Sequence, residues 1–401
     1  MFAKEIHIDS RKVGSGCQPY VIFEVASTHQ NDWGLAENYV RQAKDTGADA
    51  IKFQLFTADG LLNPISSMLQ PTYEYFKTAE TPREWFSRLK KLCEQIGIDL
   101  LCTPFDEEAA TFLNDEIGLP AVKIASGDLT NYKLLEHIAK FKKPIILSTG
   151  VATMNEVEDA VAVLKNSGCE QLAVLQCVSV YPMPYEAANV RVIETYQDKF
   201  NCVVGYSDNG SKGIIVPLVA VALGASIIEK HVTSQKQRGN MDDVFSLSVE
   251  EFKEMVSRIR GKPDIESLRK EFGGDIDIIL GSPIKEPSDA AIERPGEITK
   301  MDEWRERRLV RRGLYPKVNI PVGTKITDDM LIALRPDIGV SGTQYDEVLG
   351  AVAQENLPAK HTIKLKDGEV RLFHKADLAT TYAHPKEQET VTALVQTVNF
   401  D

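Results

Sequence analysis

The stretch Ala121-Val122-Lys123-Ile124-Ala125-Ser126-Gly127-Asp128 decides how this chain is read. It opens as a buried strand and ends in groups that do chemistry. A central strand of a parallel sheet is a nearly unbroken apolar run. Here a lysine interrupts the run, and a serine and an aspartate follow it. In α/β proteins, ligands bind at the carboxyl ends of strands and in the loops after them. Taken alone, the stretch also reads as a core strand whose lysine reaches the surface. Recurrence favours a site, because other strands of the chain end in the same way.

Working outward, apolar strand-like runs lie at 20–25, 50–53, 99–102, 144–148, 172–176, 202–206 and 227–231, with helical patterns between them. Helix starts are written into the sequence. Thr153 with Glu156, and Ser248 with Glu251, have capping-box spacing, and Thr81-Pro82-Arg83-Glu84 combines a cap, a first-turn proline and a box glutamate. With the opening stretch this makes eight strand–helix units. Strict alternation favours a parallel sheet, and eight units predict an α/β fold of the (β/α)8 barrel type over residues 1–260. A doubly wound sheet would carry a glycine-rich phosphate turn after its first strand, and Val25-Ala26-Ser27-Thr28 is not one. Residues 1–19 read as a lead-in, and the long loop at 55–80 as functional. Residues 261–307 are charged and contain Pro263, Pro283, Pro287 and Pro295, which predicts a linker with some helix near 265–272. Short β segments with tight turns (Val322-Gly323, Asp337-Ile338-Gly339, Lys366-Asp367-Gly368) predict a small β-rich domain at 308–374. The polar stretch 375–401 reads as a poorly anchored tail.

Composition narrows the function. The 401 residues are 43% apolar and 26% charged, as in ordinary globular proteins, and the net charge is −12. That sign argues against nucleic acid, which demands a basic face, yet a local lysine cluster still accommodates a small anion. The six cysteines form no C-x-x-C pair and read as free thiols of a reducing compartment. The amino terminus lacks a signal-peptide apolar core, and no run reaches membrane-span length. The expectation is a cytoplasmic protein with no membrane partner.

The polar groups at or just after the strand ends are Glu24, Lys52, Gln54, Thr103, Lys123, Ser126, Asp128, Ser148, Thr149, Gln176, Ser179, Tyr181, Tyr206, Ser207, Asp208, Glu229, Lys230 and His231. A closed barrel brings such groups to one mouth. Two lysines among hydroxyls suit a phosphate or a carboxylate. Glu24 and Asp128 suit acid–base work if their environments differ. His231 with Asp242 or Asp243 is a possible metal corner. Each member also has a plain structural role open to it: Lys52 paired with Glu24, His231 hydrogen-bonded in the barrel, and the serines capping strand-end backbone. No Walker, G-x-S-x-G or dinucleotide fingerprint is present.

These residues are familiar as a set. Phe23-Glu24-Val25-Ala26-Ser27-Thr28-His29-Gln30-Asn31-Asp32, Ile51-Lys52-Phe53-Gln54, Cys102-Thr103-Pro104-Phe105, Lys123-Ile124-Ala125-Ser126-Gly127-Asp128, Ser148-Thr149-Gly150, Tyr181-Pro182-x-Pro184, Gly205-Tyr206-Ser207-Asp208 and Glu229-Lys230-His231 resemble the sialic acid synthase family, in family order. Leu334-Arg335-Pro336 and Asp346-Glu347-Val348-Leu349-Gly350 are similar to its antifreeze-like domain. The resemblance implies condensation of phosphoenolpyruvate with an N-acylated amino sugar, of the N-acetylmannosamine or deoxy diamino type, to a nonulosonic acid and phosphate. It implies a Mn2+ or Mg2+ cofactor and a head-to-tail homodimer. It assigns phosphoenolpyruvate to Lys52, Lys123, Thr103, Ser126, Ser148 and Ser207, and water or proton handling to Glu24. Asp128 stands where the family has glutamate near the sugar. Gln54 and Ser179 count among the substrate contacts, Tyr181 and Asp242 face the sugar, and Arg335 reaches the N-acyl group across the dimer.

The departures lie on the metal and sugar sides. Asn209 replaces one of two metal-binding histidines, the other being His231, and a neutral amide is a far poorer ligand for Mn2+ than imidazole. Gln176 and Ser179 replace a histidine and an asparagine, and Asn240-Met241-Asp242-Asp243 replaces Gly-Pro-Asp-His. Metal binding is therefore expected to be weakened, rebuilt around His231 with Asp208, Asp242 or Asp243, or dispensable. Two other functions fit the residues: a Schiff-base aldolase with Lys123 as nucleophile, and a sugar-binding homologue that has lost catalysis.

Overall fold

The computed structural model describes residues 2–64, 69–234, 241–292 and 301–396. They divide into two units. One holds residues up to 56 with 78–129 and 136–303; the other holds 57–77, 130–135 and 304 onward.

The first unit opens with an antiparallel hairpin of β1 (Glu5–Ile8) and β2 (Arg11–Gly14). Eight parallel strands follow: β3 (Tyr20–Glu24), β4 (Ala50–Leu55), β5 (Asp99–Pro104), β6 (Val122–Ile124), β7 (Ile145–Ser148), β8 (Leu172–Cys177), β9 (Val203–Asp208) and β10 (Ile227–Thr233). They pair in the order β5-β4-β3-β10-β9-β8-β7-β6, with β5 beside β6. A short β11 (Leu247–Ser248) adds to the end of β10. This is the expected (β/α)8 barrel.

Side chains alternate between the two faces of a strand, and that alternation builds the interior. Ile22, Ala50, Leu101, Ala121, Ile146, Leu175, Val203 and Ile227 share one buried cluster. Ile6, Ile8 and Val13 of the amino-terminal hairpin belong to the same cluster, so the segment read as a lead-in is the plug of the barrel floor. Gly205 sits at an inner position where neighbouring strands leave no room. A Cβ there would lie 2.3 Å from the Ile227 carbonyl oxygen and 2.6 Å from Leu175.

The helices begin largely where the caps predict. Thr153 with Glu156 and Ser248 with Glu251 form complete capping boxes. The Thr81–Glu84 box does not form. The helix there is Trp85–Ile96 and has no side-chain cap, because the Thr81 hydroxyl is bonded to His29 instead. The expected linker belongs to the barrel unit as far as Glu303, with helices at Ile265–Phe272 and Asp275–Leu280; its residues 293–300 lie outside the described residues.

In the second unit β12 (Gly313–Pro316) pairs antiparallel with β13 (Leu331–Leu334), and β14 (Val352–Ala353), β15 (Ile363–Lys366) and β16 (Glu369–Leu372) form a three-stranded sheet in the order β14-β16-β15. Leu314, Ile326, Val340, Ile363 and Val370 fill its core. Arg312, fully buried, donates to the carbonyls of Gly60, Leu61 and Ala333 and so ties the segment after β4 into this unit. Residues 378–394 correct the expected loose tail. They form two helices whose Leu378, Tyr382, Val391 and Leu394 are buried with Ile338 and Phe373. Residues 397–401 of that stretch lie outside the described residues.

His29, in the loop after β3, gives a pH test of the barrel unit. Its Nδ1 accepts from the Asn31 N–H at 3.0 Å, which leaves the proton on Nε2 to donate to Thr81 Oγ1 at 2.9 Å. Burial, opposed by Asp242, pushes its pKa from the ordinary 6.5 down to about 4. A depressed histidine stabilises the fold fully above its unfolded pKa and loses that contribution as pH falls toward the folded one. Denaturant unfolding should therefore show about 3 kcal/mol less stability at pH 4 than at pH 6.5 from this group, and His29→Gln should flatten that part of the profile.

Candidate active site

The inward parity that starts with apolar residues at the barrel floor ends in polar ones at the mouth. Two residues beyond Ile22 comes Glu24, beyond Ala50 Lys52, beyond Leu101 Thr103 and beyond Ala121 Lys123. Ile146 is followed by Ser148, Leu175 by Cys177, Gly205 by Ser207, and Ile227 by Glu229 and then His231. Register aligns these ends: Glu24 lies beside Lys52 and His231, and Ser207 beside Cys177 and Glu229.

The side chains meet as follows. Lys52 Nζ is 2.6 Å from Glu24 Oε2 and donates to Thr103 Oγ1 at 3.1 Å. Gln54 Nε2 donates to Glu24 Oε1 at 2.9 Å. Lys123 Nζ donates to Ser148 Oγ at 2.7 Å and to the Ile124 carbonyl at 3.1 Å. Glu229 stands between the lysines, 3.7 Å from Lys52 and 3.9 Å from Lys123, and accepts from Ser207 Oγ at 3.1 Å. Ser126 Oγ accepts from the Gly150 N–H at 2.9 Å and lies 3.4 Å from Cys177 Sγ. All of these groups except Gln54 are buried.

Electrostatics follows the distances. Burial works against the charge on Lys52, but Glu229 and Glu24 outweigh it and hold Lys52 above its ordinary value. Burial lowers Lys123, with Glu229 opposing and Lys52 adding to the shift. Burial alone would raise Glu229, yet Lys123 and Lys52 bring it below the usual carboxylate range. The arrangement is two ammonium groups sharing one carboxylate within a ring of hydroxyls.

Glu229 had no role assigned from sequence, although its parity with His231 was the available signal. Phe245 was missed as well. Its ring lies 4.8 Å from Tyr181 and 5.4 Å from His231, so the sugar-side candidates stand on an aromatic wall. Asp242, on the same loop, accepts from the backbone N–H and hydroxyl of Ser27. Asp128 is fully buried in the single turn Ser126–Asp128 after β6. Ser179 follows β8 and is buried, its N–H bonded to Glu303. Arg335 lies in the second unit, where its backbone bonds to Leu61 and Asn63. Asn240 of the altered motif lies outside the described residues.

Four strand-end residues point the other way. Gln176, Tyr206, Asp208 and Lys230 have the opposite parity. Gln176 and Tyr206 both donate to the Ala188 carbonyl. Lys230 and Asp208 form a fully buried pair at 2.8 Å that is also bonded to Ser211. They hold loops and do not face the mouth.

The same geometry tests the metal. Asn209 donates through Nδ2 to Cys177 Sγ at 2.9 Å, and its Oδ1 lies 3.2 Å from Ser207 Oγ, whose one proton it shares with Glu229. Buried His231 Nδ1 has no hydrogen-bond partner among the described residues. Asp208 faces away, Asp243 accepts from Thr233, and Asp242 is bonded to Ser27. Among the described residues no group of three or more His, Cys, Asp or Glu side chains is placed to hold a metal ion. The residues present do not fit a two-histidine metal site. Also among the described residues, no helix is long and apolar enough to cross a membrane, and all six cysteines are free.

Comparison with known proteins gives concordant matches. Residues 39–267 match the NeuB family and residues 311–367 the SAF domain. The chain is 34% identical to the N,N'-diacetyllegionaminic acid synthase of Legionella pneumophila over 87% of its own length and 94% of that protein. It is 31% identical to the pseudaminic acid synthase of Helicobacter pylori, over 88% and 98%. Among solved structures it is similar to the spore coat polysaccharide biosynthesis protein SpsE of Bacillus subtilis, with a TM-score of 0.75 and 29% identity over 92% of this chain and 100% of that one. A barrel matched along most of its length, followed by a matched SAF domain, places this chain in the NeuB family.

Proposed function

We propose that this protein condenses phosphoenolpyruvate with the open-chain aldehyde of an N-acylated amino sugar, giving a nonulosonic acid and inorganic phosphate. The observation that carries this reading is the placement of Lys52 and Lys123 on one mouth, with Thr103, Ser148 and Ser207 hydroxyls around them and Glu229 between them. Relatives named as legionaminic and pseudaminic acid synthases support it.

The chemistry is mainly positioning. C3 of the enol forms a bond to the aldehyde carbon, whose oxygen takes a proton. Water adds at C2, and the C2–O bond to phosphate breaks with loss of inorganic phosphate. The ammonium groups and hydroxyls hold the phosphate and carboxylate. Glu24, fixed by Lys52 and Gln54, is the carboxylate that directs water or carries its proton. Tyr181, Asp242 and Asp128 are assigned to the sugar. The described side chains do not make a two-histidine metal site, so these roles fall to the protein groups named. The protein is further read as a cytoplasmic head-to-tail homodimer in which Arg335 of one subunit serves the partner's site.

Phosphate release with phosphoenolpyruvate and a panel of N-acylated amino sugars, read with product mass, tests the assignment. Lys123→Met should lower kcat/KM about a hundredfold to a thousandfold, since removing one preorganised charge-stabilising group costs about 2.7–4 kcal/mol at the transition state. Release without a sugar, or none with any sugar, would sink the reading.

Exhaustive chelation should leave at least half of the wild-type rate. Asn209→His should gain measurable Mn2+ binding by calorimetry. Full loss on chelation, together with tight Mn2+ binding by the wild type, would restore a metal mechanism.

Mixing the inactive variants Lys123→Met and Arg335→Ala should recover about a quarter of the wild-type activity, because half of the dimers then carry one intact site. No recovery would mean that Arg335 does not act in trans.

A further inference from the structure

Glu303 is a fully buried carboxylate that the proposed reaction does not use. It comes from the far end of the linker, yet it belongs to the barrel unit. Its Oε1 accepts from the backbone N–H of Val151 at 2.7 Å and of Ser179 at 2.8 Å, and its Oε2 accepts from the Ser288 N–H at 2.8 Å. Val151 follows β7 and Ser179 follows β8, so one carboxylate clamps the ends of two neighbouring strands at the mouth. Buried Lys285, also from the linker, donates to the Cys177 carbonyl at 3.3 Å, and its own carbonyl accepts from the Met154 N–H.

The clamp sits where the backbone is strained and crowded. Val151 is β-branched and adopts φ +54°, in the left-handed region. A bulky side chain is an outlier there, and such a conformation costs about 1–3 kcal/mol unless its surroundings impose it. The residue before it, Gly150, has no room for a side chain. A Cβ would lie 2.2 Å from Ser179 Oγ, 2.9 Å from Ser126 Oγ and 3.2 Å from Cys177 Sγ. Gly150 donates to Ser126, and Ser148, two residues earlier, takes the bond from Lys123. Holding Val151 and Ser179 therefore fixes the hydroxyls assigned to phosphoenolpyruvate.

We propose that Glu303 is a positioning residue for phosphoenolpyruvate, and that the linker is the outer brace of this side of the active site. The inference rests on the condensing function proposed above. Charge-assisted bonds from three N–H groups to one carboxylate make a stiff clamp. Glutamine keeps the shape but exchanges one accepting oxygen for a donor, which opposes at least one of those N–H groups.

The test uses the full-length protein and phosphoenolpyruvate alone, with affinity measured by calorimetry on folded material and followed by steady-state kinetics. Glu303→Gln should weaken phosphoenolpyruvate binding tenfold or more and raise its KM in parallel, while kcat per folded molecule stays within about threefold, the signature of lost ground-state binding. Glu303→Asp keeps the charge but draws it back by one methylene, and should show an intermediate loss of threefold to tenfold. It serves as the deciding variant if Glu303→Gln does not fold. Wild-type affinity in either folded variant would overturn the proposal, as would a loss of active molecules with unchanged KM. Failure of the wild-type protein to bind phosphoenolpyruvate would instead overturn the functional reading.

Discussion

Two buried ammonium groups sharing one carboxylate are the constraint around which the barrel mouth is built. Burying a charge costs several kcal/mol unless partners replace the lost water. Lys52 and Lys123 project into the barrel from separate strands, and Glu229 lies within 4 Å of both. Glu24 completes the set on the Lys52 side, and Ser148 on the Lys123 side. The shared carboxylate thus offsets the repulsion between two neighbouring ammonium groups, holding Lys52 above its ordinary value and opposing the fall that burial and Lys52 impose on Lys123. The Thr103, Ser148 and Ser207 hydroxyls stand around this set, each already held by a lysine or by Glu229.

The rest of the fold maintains that arrangement. A plug of Ile6, Ile8 and Val13 closes the floor, so the interior changes from dry to polar along each strand. Gly205 keeps the strands close on one side. The Lys230–Asp208 pair, on the outer face of the sheet, spends its charge on the loop that carries Asn209. Glu303 does the same for the loops after β7 and β8. At these two places a buried charge that does not face the mouth holds a loop that does.

The barrel was legible because periodicity and capping boxes are local signals. Seven apolar runs and the opening stretch became strands, and the boxes at Thr153 and Ser248 formed. The box at Thr81 did not, since a hydroxyl with the right spacing found a better partner in His29, 52 residues away in the chain. The amino-terminal hairpin and the carboxyl-terminal helices were misread for one reason. The Ile6-x-Ile8 alternation is too short to announce a strand by itself, the last helix is mostly polar, and what anchors both segments is a cluster built by distant parts of the chain.

The site divides along the same line. Residue types and their position at strand ends determined that lysines, hydroxyls and carboxylates converge, because a parallel strand has one direction and its carboxyl end has one place to go. Which of them face the mouth was decided by the closed barrel. Parity sends Lys52, Lys123, Ser207 and Glu229 inward and turns Gln176, Tyr206, Asp208 and Lys230 outward; the alternation is written in the sequence, but closure sets which of its two faces is the interior. The partners of Asn209 and of Glu303 were likewise set only in three dimensions. A side chain's chemistry belongs to its residue type, but its hydrogen-bond partners depend on which strand the closure of the sheet brings alongside.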